Sequence, residues 1–352
     1  MRNRQALRIV RSCIALGLSL VAWGPASADG IVPNRLFAEH SDRDKNGFAL
    51  GIAQITNYLG TPVDYDTIMG DSGMAFIVQA NRTGPYIDGA LDVGWWPLDH
   101  FGTGLYVDFV GDALGWELAY TTGKWQSAET VYREILAPIL AESLAAGRPA
   151  LCHSQYQFVT AALDDGDPPL LGGWAVEHGD TLIRIDAYPW GMYAFGEASE
   201  RLPREEADIA ALQHAVDLRS EESPCLEGAL TGIEAFALWA ETLRDVEHIG
   251  QARWHGNMVR HLKLQRESAI AYLEGMAGRH EEGVAAHLTA AADYYQQVLD
   301  DVEALDLKGL ESTPPPWEDV AVAVERMALL EGEAIGEIEA ALAELGHEPG
   351  QE

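Results

Sequence analysis

The chain has 352 residues, enough for about two domains that each bury a core. Its 55 acids against 23 lysines and arginines give a net charge of −32. Such a body is repelled by phosphate backbones and anionic lipid, which excludes nucleic-acid and membrane-surface binding.

Arg2, Arg4, Arg8 and Arg11 precede an apolar run from Cys13 to Trp23 and an Ala26-Ser27-Ala28 cleavage pattern. Residues 1–28 are therefore expected to be a secretory signal peptide. The run is well short of the roughly 20 residues that a membrane span needs, so no stable insertion is expected after cleavage. Four arginines and no acids leave with the peptide, which moves the net charge from −32 to −36. The expected destination is secreted or periplasmic, where a disulfide between Cys152 and Cys225 is permitted.

Residues 29–222 mix short apolar and aromatic runs with many glycines and prolines, whereas 223–352 carries long 3.6-residue periods. The boundary is expected in the turn-rich "RSEESPCLEG" around Ser220 to Gly228. The first helix is expected over Phe48 to Leu59, stopped by Gly60, and Ala75 to Gln79 reads as a strand. Another amphipathic helix spans 129–146. Strands are expected in "RPALCHSQ", "YQFVTAALDD" and "TLIRIDAYPWGMYAF". Helices first and strands after indicate an α+β class. Periodicity then predicts helices near 229–246, 254–278, 281–304 and 317–345, packed as a small bundle.

Several motifs suggest chemistry. Asp42, Asp44, Asn46 and Gly47 spell the first half of a calcium loop, but position 12 is Ala53, which has no side-chain oxygen. The expected role is an Asx-type cap on the first helix. "GDSG" at 70–73 matches a serine-protease nucleophile loop without that mechanism's histidine motif or double barrel, so Ser72 is a nucleophile only if relocated chemistry is invoked. His248, His255, His261, His280 and His287 stand mostly six or seven apart, not the three or four that let one helix present two ligands, so no metal site is expected. "DVGWWPLDHFG" gathers Trp95, Trp96, Asp99 and His100, and one tryptophan either lines a groove or packs against the helical part. Cys152 and His153 adjoin in a strand and so point to opposite faces. A cysteine nucleophile there would need His100 or His178 as its base.

"FALGIAQITNYLGTPVDYDTIMGDSGMAF", "AAGRPALC", "YQFVTAALDDG" and the helical segments "GIEAFALWAETL", "LQRESAIAYLEGM" and "LTAAADYYQQVL" together resemble the butirosin-biosynthesis acyltransferase N-terminal family. That family is a branch of the papain-like, bacteriocin-processing peptidase fold. The resemblance implies a cysteine-peptidase-type domain followed by an all-α helical bundle. It places the nucleophile among Asn46, Gly47 and Phe48 and the histidine at Gln155 or Tyr156, with Asp186 as the acid that orients it.

None of those residues is a cysteine or a histidine. The expectation is a degenerate domain that binds a small-molecule, peptide, amide or acyl ligand without cysteine catalysis and without a cofactor. Asn46, Gly47, Trp95, Trp96, Asp99, His100, Gln155 and Asp186 are the candidate ligand contacts. Two alternatives stay open. One is an active acyltransferase or amide hydrolase using Cys152 or Ser72 with His100 or His178, and the other is a structural or partner-binding module.

Overall fold

The computed structural model describes residues 46–84, 87–93, 107–122, 128–153, 157–163, 171–175, 183–185, 188–189, 191–219, 230–244, 252–305 and 317–347. Helix α1 (Gly47–Tyr58) starts one residue before the expected position, because the Asn46 side chain accepts from the Ala49 N–H and caps it. Asp64 caps α2 (Tyr65–Asp71) in the same way through the Thr67 N–H. After α2 the chain does not become a strand at Ala75. Residues 72–76 are turns held by bonds such as Ala75 N–H to the Met69 carbonyl, and strand β1 (Gln79–Gly84) begins only at Gln79.

Strand β1 pairs antiparallel with β2 (Ile87–Val93) on one side and, further along the chain, with β9 (Leu230–Thr231) on the other. Helix α3 (Val107–Leu114) then leads through Gly115, at φ +76°, into β3 (Trp116–Thr122). The expected helix over 129–146 is present as α4 (Ala128–Val131), a π turn over Tyr132–Leu136 and α5 (Ala137–Ala145). Strands β4 (Ala150–His153), β5 (Gln157–Leu163), β6 (Leu171–Ala175), β7 (Ile183–Ile185) and β8 (Gly191–Ala198) complete a six-stranded antiparallel sheet in the order β3-β8-β4-β5-β6-β7. Three strands precede α4, and α6 (Arg204–Asp217) follows β8, so elements alternate more than the helices-then-strands order suggested. The class is nonetheless α+β.

The sheet sorts its side chains by the two-residue period of a strand. Leu151, Val159, Tyr193 and Phe195 face α1 and share its core, with the Phe48 and Tyr193 rings 4.9 Å apart at 61°. Ala150, Cys152, Met192 and Ala194 face the other way and pack on Val131, Tyr132, Leu136 and Leu140. The approach of α1 to the sheet depends on Gly51, since a Cβ there would lie 2.4 Å from Leu151.

The helical part is close to its periodicity: α7 (Gly232–Arg244), α8 (Ala252–Ala277), α9 (Glu282–Ala304) and α10 (Trp317–Glu344). In α10, Val324, Met327, Ile335, Ile338 and Leu342 are buried, as a one-sided helix requires. These helices are not a separate body. Tyr272, Leu273, Leu288, Tyr295 and Ile338 belong to the same apolar cluster as Phe48, Ile52, Met69 and Phe76.

Candidate functional site

The start of α1 is where the resemblance places a nucleophile. Asn46 occupies it, with its side-chain oxygen, its carbonyl and its N–H all directed to structure. Its side-chain oxygen takes the Ala49 N–H at 3.2 Å, its carbonyl takes the Leu50 N–H at 3.0 Å, and its own N–H donates to the Tyr65 hydroxyl at 2.8 Å. The Tyr65 and Ser268 hydroxyls are hydrogen-bonded to each other, and the Ser268 hydroxyl donates to Asp66 at 2.8 Å. Burial pushes the Tyr65 phenol up to about 12, so it stays a neutral donor and acceptor at any physiological pH. A short hydrogen-bonded chain therefore runs from α8 through α2 to the capping residue of α1. Gly47 is half-buried and Phe48 is fully buried, so neither offers a reactive group.

"GDSG" has a different role from the one its letters suggest. Asp71 accepts from both terminal guanidinium nitrogens of Arg204, at 2.9 and 2.6 Å, and from the Tyr272 hydroxyl at 2.7 Å. Arg204 also donates to Asp208 at 2.7 Å, and Arg279 and His280 reach the same carboxylate. Charge-assisted bonds of this length are the strong kind, and here they fasten α2, α6 and the end of α8 to one another. Asp71 beside Arg204 holds the guanidinium pKa up, and burial together with Asp71 raises the Tyr272 phenol well above its usual value. Ser72 is 2% exposed and donates to the Met69 carbonyl at 3.3 Å, a position with no opening to substrate. Gly70 is required by contact, because a Cβ there would lie 2.2 Å from the Tyr272 ring.

A second buried charge sits on the same helix, two residues before Ser268. Arg266 is fully enclosed, pairs with Glu331 of α10, and donates to the carbonyls of Ala75 at 2.6 Å and Phe76 at 3.4 Å. Its guanidinium lies 4.9 Å over the Tyr295 ring. This accounts for the absence of a strand at Ala75: the Ala75 and Phe76 carbonyls are taken by a side chain and not by a neighbouring strand.

No family model matches the sequence, and no curated protein does. The site is thus defined by its own geometry. Cys152 is buried in the apolar layer on the face of the sheet opposite α1, so the cysteine and the start of α1 cannot share one cleft. Trp95, Trp96, Asp99, His100, Gln155, His178, Asp186 and Cys225 lie outside the described residues, as does everything before Asn46. Among the described residues no group of three or more His, Cys, Asp or Glu side chains could hold a metal ion. His280 and His287 are paired with Asp208 and Glu337.

Composition and spacing did not reveal Tyr65, Asp71, Arg204, Asp208, Arg266, Tyr272 or Glu331 as a connected set. One signal was available. Arg266 sits between Leu262, Ala269 and Leu273 on the buried stripe of α8, and an arginine in that register calls for a buried acid.

Proposed function

We infer that this chain is an exported pseudoenzyme, a degenerate papain-like domain carrying a helical bundle, which binds a peptide, amide or acyl ligand without cysteine chemistry. The observation that carries this reading is the first turn of α1. Its start packs over an antiparallel sheet, as a nucleophile helix does, yet Asn46 is used as a cap and as a donor to Tyr65. A thiolate there would be favoured by the helix dipole and completed by a strand-borne histidine, and the sequence supplies neither at Asn46, Gly47, Phe48 or Gln155. The burial of Cys152 on the far face of the sheet and the enclosure of Ser72 weigh against a relocated nucleophile. The papain-like assignment and the export rest on sequence resemblance and on the pattern of residues 1–28.

Restoration of the dyad tests the placement. Asn46→Cys alone is expected to gain little thiol reactivity, because at a pKa near 8.5 only a few per cent is thiolate at neutral pH. Removing the cap also costs about 0.5–2 kcal/mol of stability. Adding Gln155→His should then raise iodoacetamide reactivity by more than the two single changes combined, as expected only for neighbours. Strictly additive reactivities would overturn the placement. Turnover of a thioester or peptide by the native protein, lost in Cys152→Ala, would replace the pseudoenzyme with an enzyme.

Export has its own test. Mass spectrometry of material recovered outside the cytoplasm should show a chain beginning at Asp29, and an intact Met1 there would disprove cleavage.

A further inference from the structure

Asn46 is the only asparagine in the chain that is followed by glycine. That pair has a chemistry of its own. Gly47 carries no Cβ, so its backbone nitrogen can approach the side-chain carbonyl carbon of Asn46 without a clash. Attack by the Gly47 nitrogen on the Asn46 Cγ forms a C–N bond and closes a cyclic imide, while the Cγ–Nδ2 bond breaks. The amide leaves as ammonia, carrying the proton that the Gly47 N–H gives up. Water then opens the imide at either carbonyl and leaves aspartate or isoaspartate at position 46.

The fold supplies the reacting groups and holds them apart. Asn46 and Gly47 are both half-buried, so water reaches them. The Gly47 N–H is one of the first-turn donors that no helical carbonyl takes, and neither it nor the Asn46 Nδ2 is tied to another group among the described residues. Yet Asn46 has φ −68° and ψ 124°, an extended backbone that turns the Gly47 nitrogen away from Cγ. Rotating ψ to bring them together swings the Asn46 carbonyl off the Leu50 N–H, now at 3.0 Å. Closing the imide also withdraws the side-chain oxygen from the Ala49 N–H at 3.2 Å. The bond from the Asn46 N–H to the Tyr65 hydroxyl, at 2.8 Å, anchors the residue against the same motion. Reaction therefore requires a local opening of the first turn of α1.

We propose that Asn46 is a deamidation site gated by the first turn of α1, with Tyr65 holding the gate shut. The two products act differently on the fold. Aspartate caps a helix about as well as asparagine and brings a negative charge to its positive end. Isoaspartate puts an extra methylene into the main chain, which breaks the spacing that the Ala49 and Leu50 bonds share. Deamidation thus either keeps α1 with one more charge or undoes its start. This holds whatever α1 binds, because it rests on the cap alone.

The test keeps the full chain in warm, mildly alkaline buffer, with and without urea, and follows residue 46 by peptide mass spectrometry. Asn57, in the same helix but followed by Tyr58, is the internal control. Conversion is expected at Asn46 and not at Asn57, slowly in the folded protein and faster in urea. Tyr65→Phe keeps the ring and removes the acceptor of the Asn46 N–H. It should quicken conversion of the folded protein by about fivefold, the population change expected for one lost hydrogen bond. Gly47→Ala should abolish conversion over the same period. Equal rates in folded and urea-unfolded native protein would overturn the gate, and no conversion in urea would overturn the site. An unchanged rate in Tyr65→Phe would remove Tyr65 from its role. The comparison of folded and unfolded native chain needs no variant, so it decides the matter even if Tyr65→Phe does not fold.

Discussion

Replacing Arg266 with methionine is expected to cost about 3–5 kcal/mol of folding stability, the range for removing one partner of a buried ion pair. Arg266 is fully buried, and its removal strands the Glu331 carboxylate together with the carbonyls of Ala75 and Phe76. Since whole domains are stable by only about 5–15 kcal/mol, this one change brings the protein near unfolding. The double variant Arg266→Met with Glu331→Leu should be more stable than Arg266→Met alone, because no charge is then left unpaired. It should still fall short of the native chain by about 1–3 kcal/mol, since the two carbonyls lack their donor. Urea denaturation of the four proteins checks this. If the double variant loses the sum of the two single losses, the Arg266–Glu331 pair is not coupled and this account of it fails.

Acid should destabilise the protein between about pH 6.5 and pH 3 through two histidines. Burial lowers His214 to about 4 and His261 to about 3, the latter with help from Arg260. An unfolded histidine titrates near 6.5, so below that pH the unfolded chain binds more protons than the folded one. The stability these groups contribute is therefore present at neutral pH and is lost as pH falls, levelling off near each folded value. At pH 5 the loss is roughly 2 kcal/mol for each histidine. Midpoints of urea unfolding at neutral pH and at pH 5 measure it. In the double variant His214→Leu with His261→Leu the difference between the two should shrink by most of that amount. A double variant as acid-sensitive as the native protein would assign the effect elsewhere.

These two expectations rest on residues that differ in how far the sequence reveals them. Helices α7 to α10 are readable because their apolar residues recur at three and four positions over many turns, so errors at their ends are small. Strands β5 and β8 are readable from short runs with aromatic or β-branched residues bounded by turn residues, and β4 from the apolar run that follows Gly147. The strand expected at Ala75 fails because an arginine 191 residues away takes the Ala75 carbonyl, and no local pattern reports a partner so distant. Helix α6 was not anticipated, since Arg204, Asp208 and His214 interrupt its apolar face and their partners lie on α2 and α8. At the start of α1, Asn46 is recognisable as a cap from its type and position. Its tie to Tyr65 depends on how α2 folds back, which spacing does not encode.

The enclosure of Asp71 by Arg204 and Tyr272, and of the Ala75 and Phe76 carbonyls by Arg266, also sets an order in time. A ribosome makes residues 71–78 long before residues 266–280, and at about 5–20 residues per second the delay is roughly 10–40 s. Asp71 gains Arg204 partway through that interval, but the Ala75 and Phe76 carbonyls have no side-chain donor until Arg266 is made. The part of the chain that emerges first must wait, open and acidic, for the part that emerges last to close it.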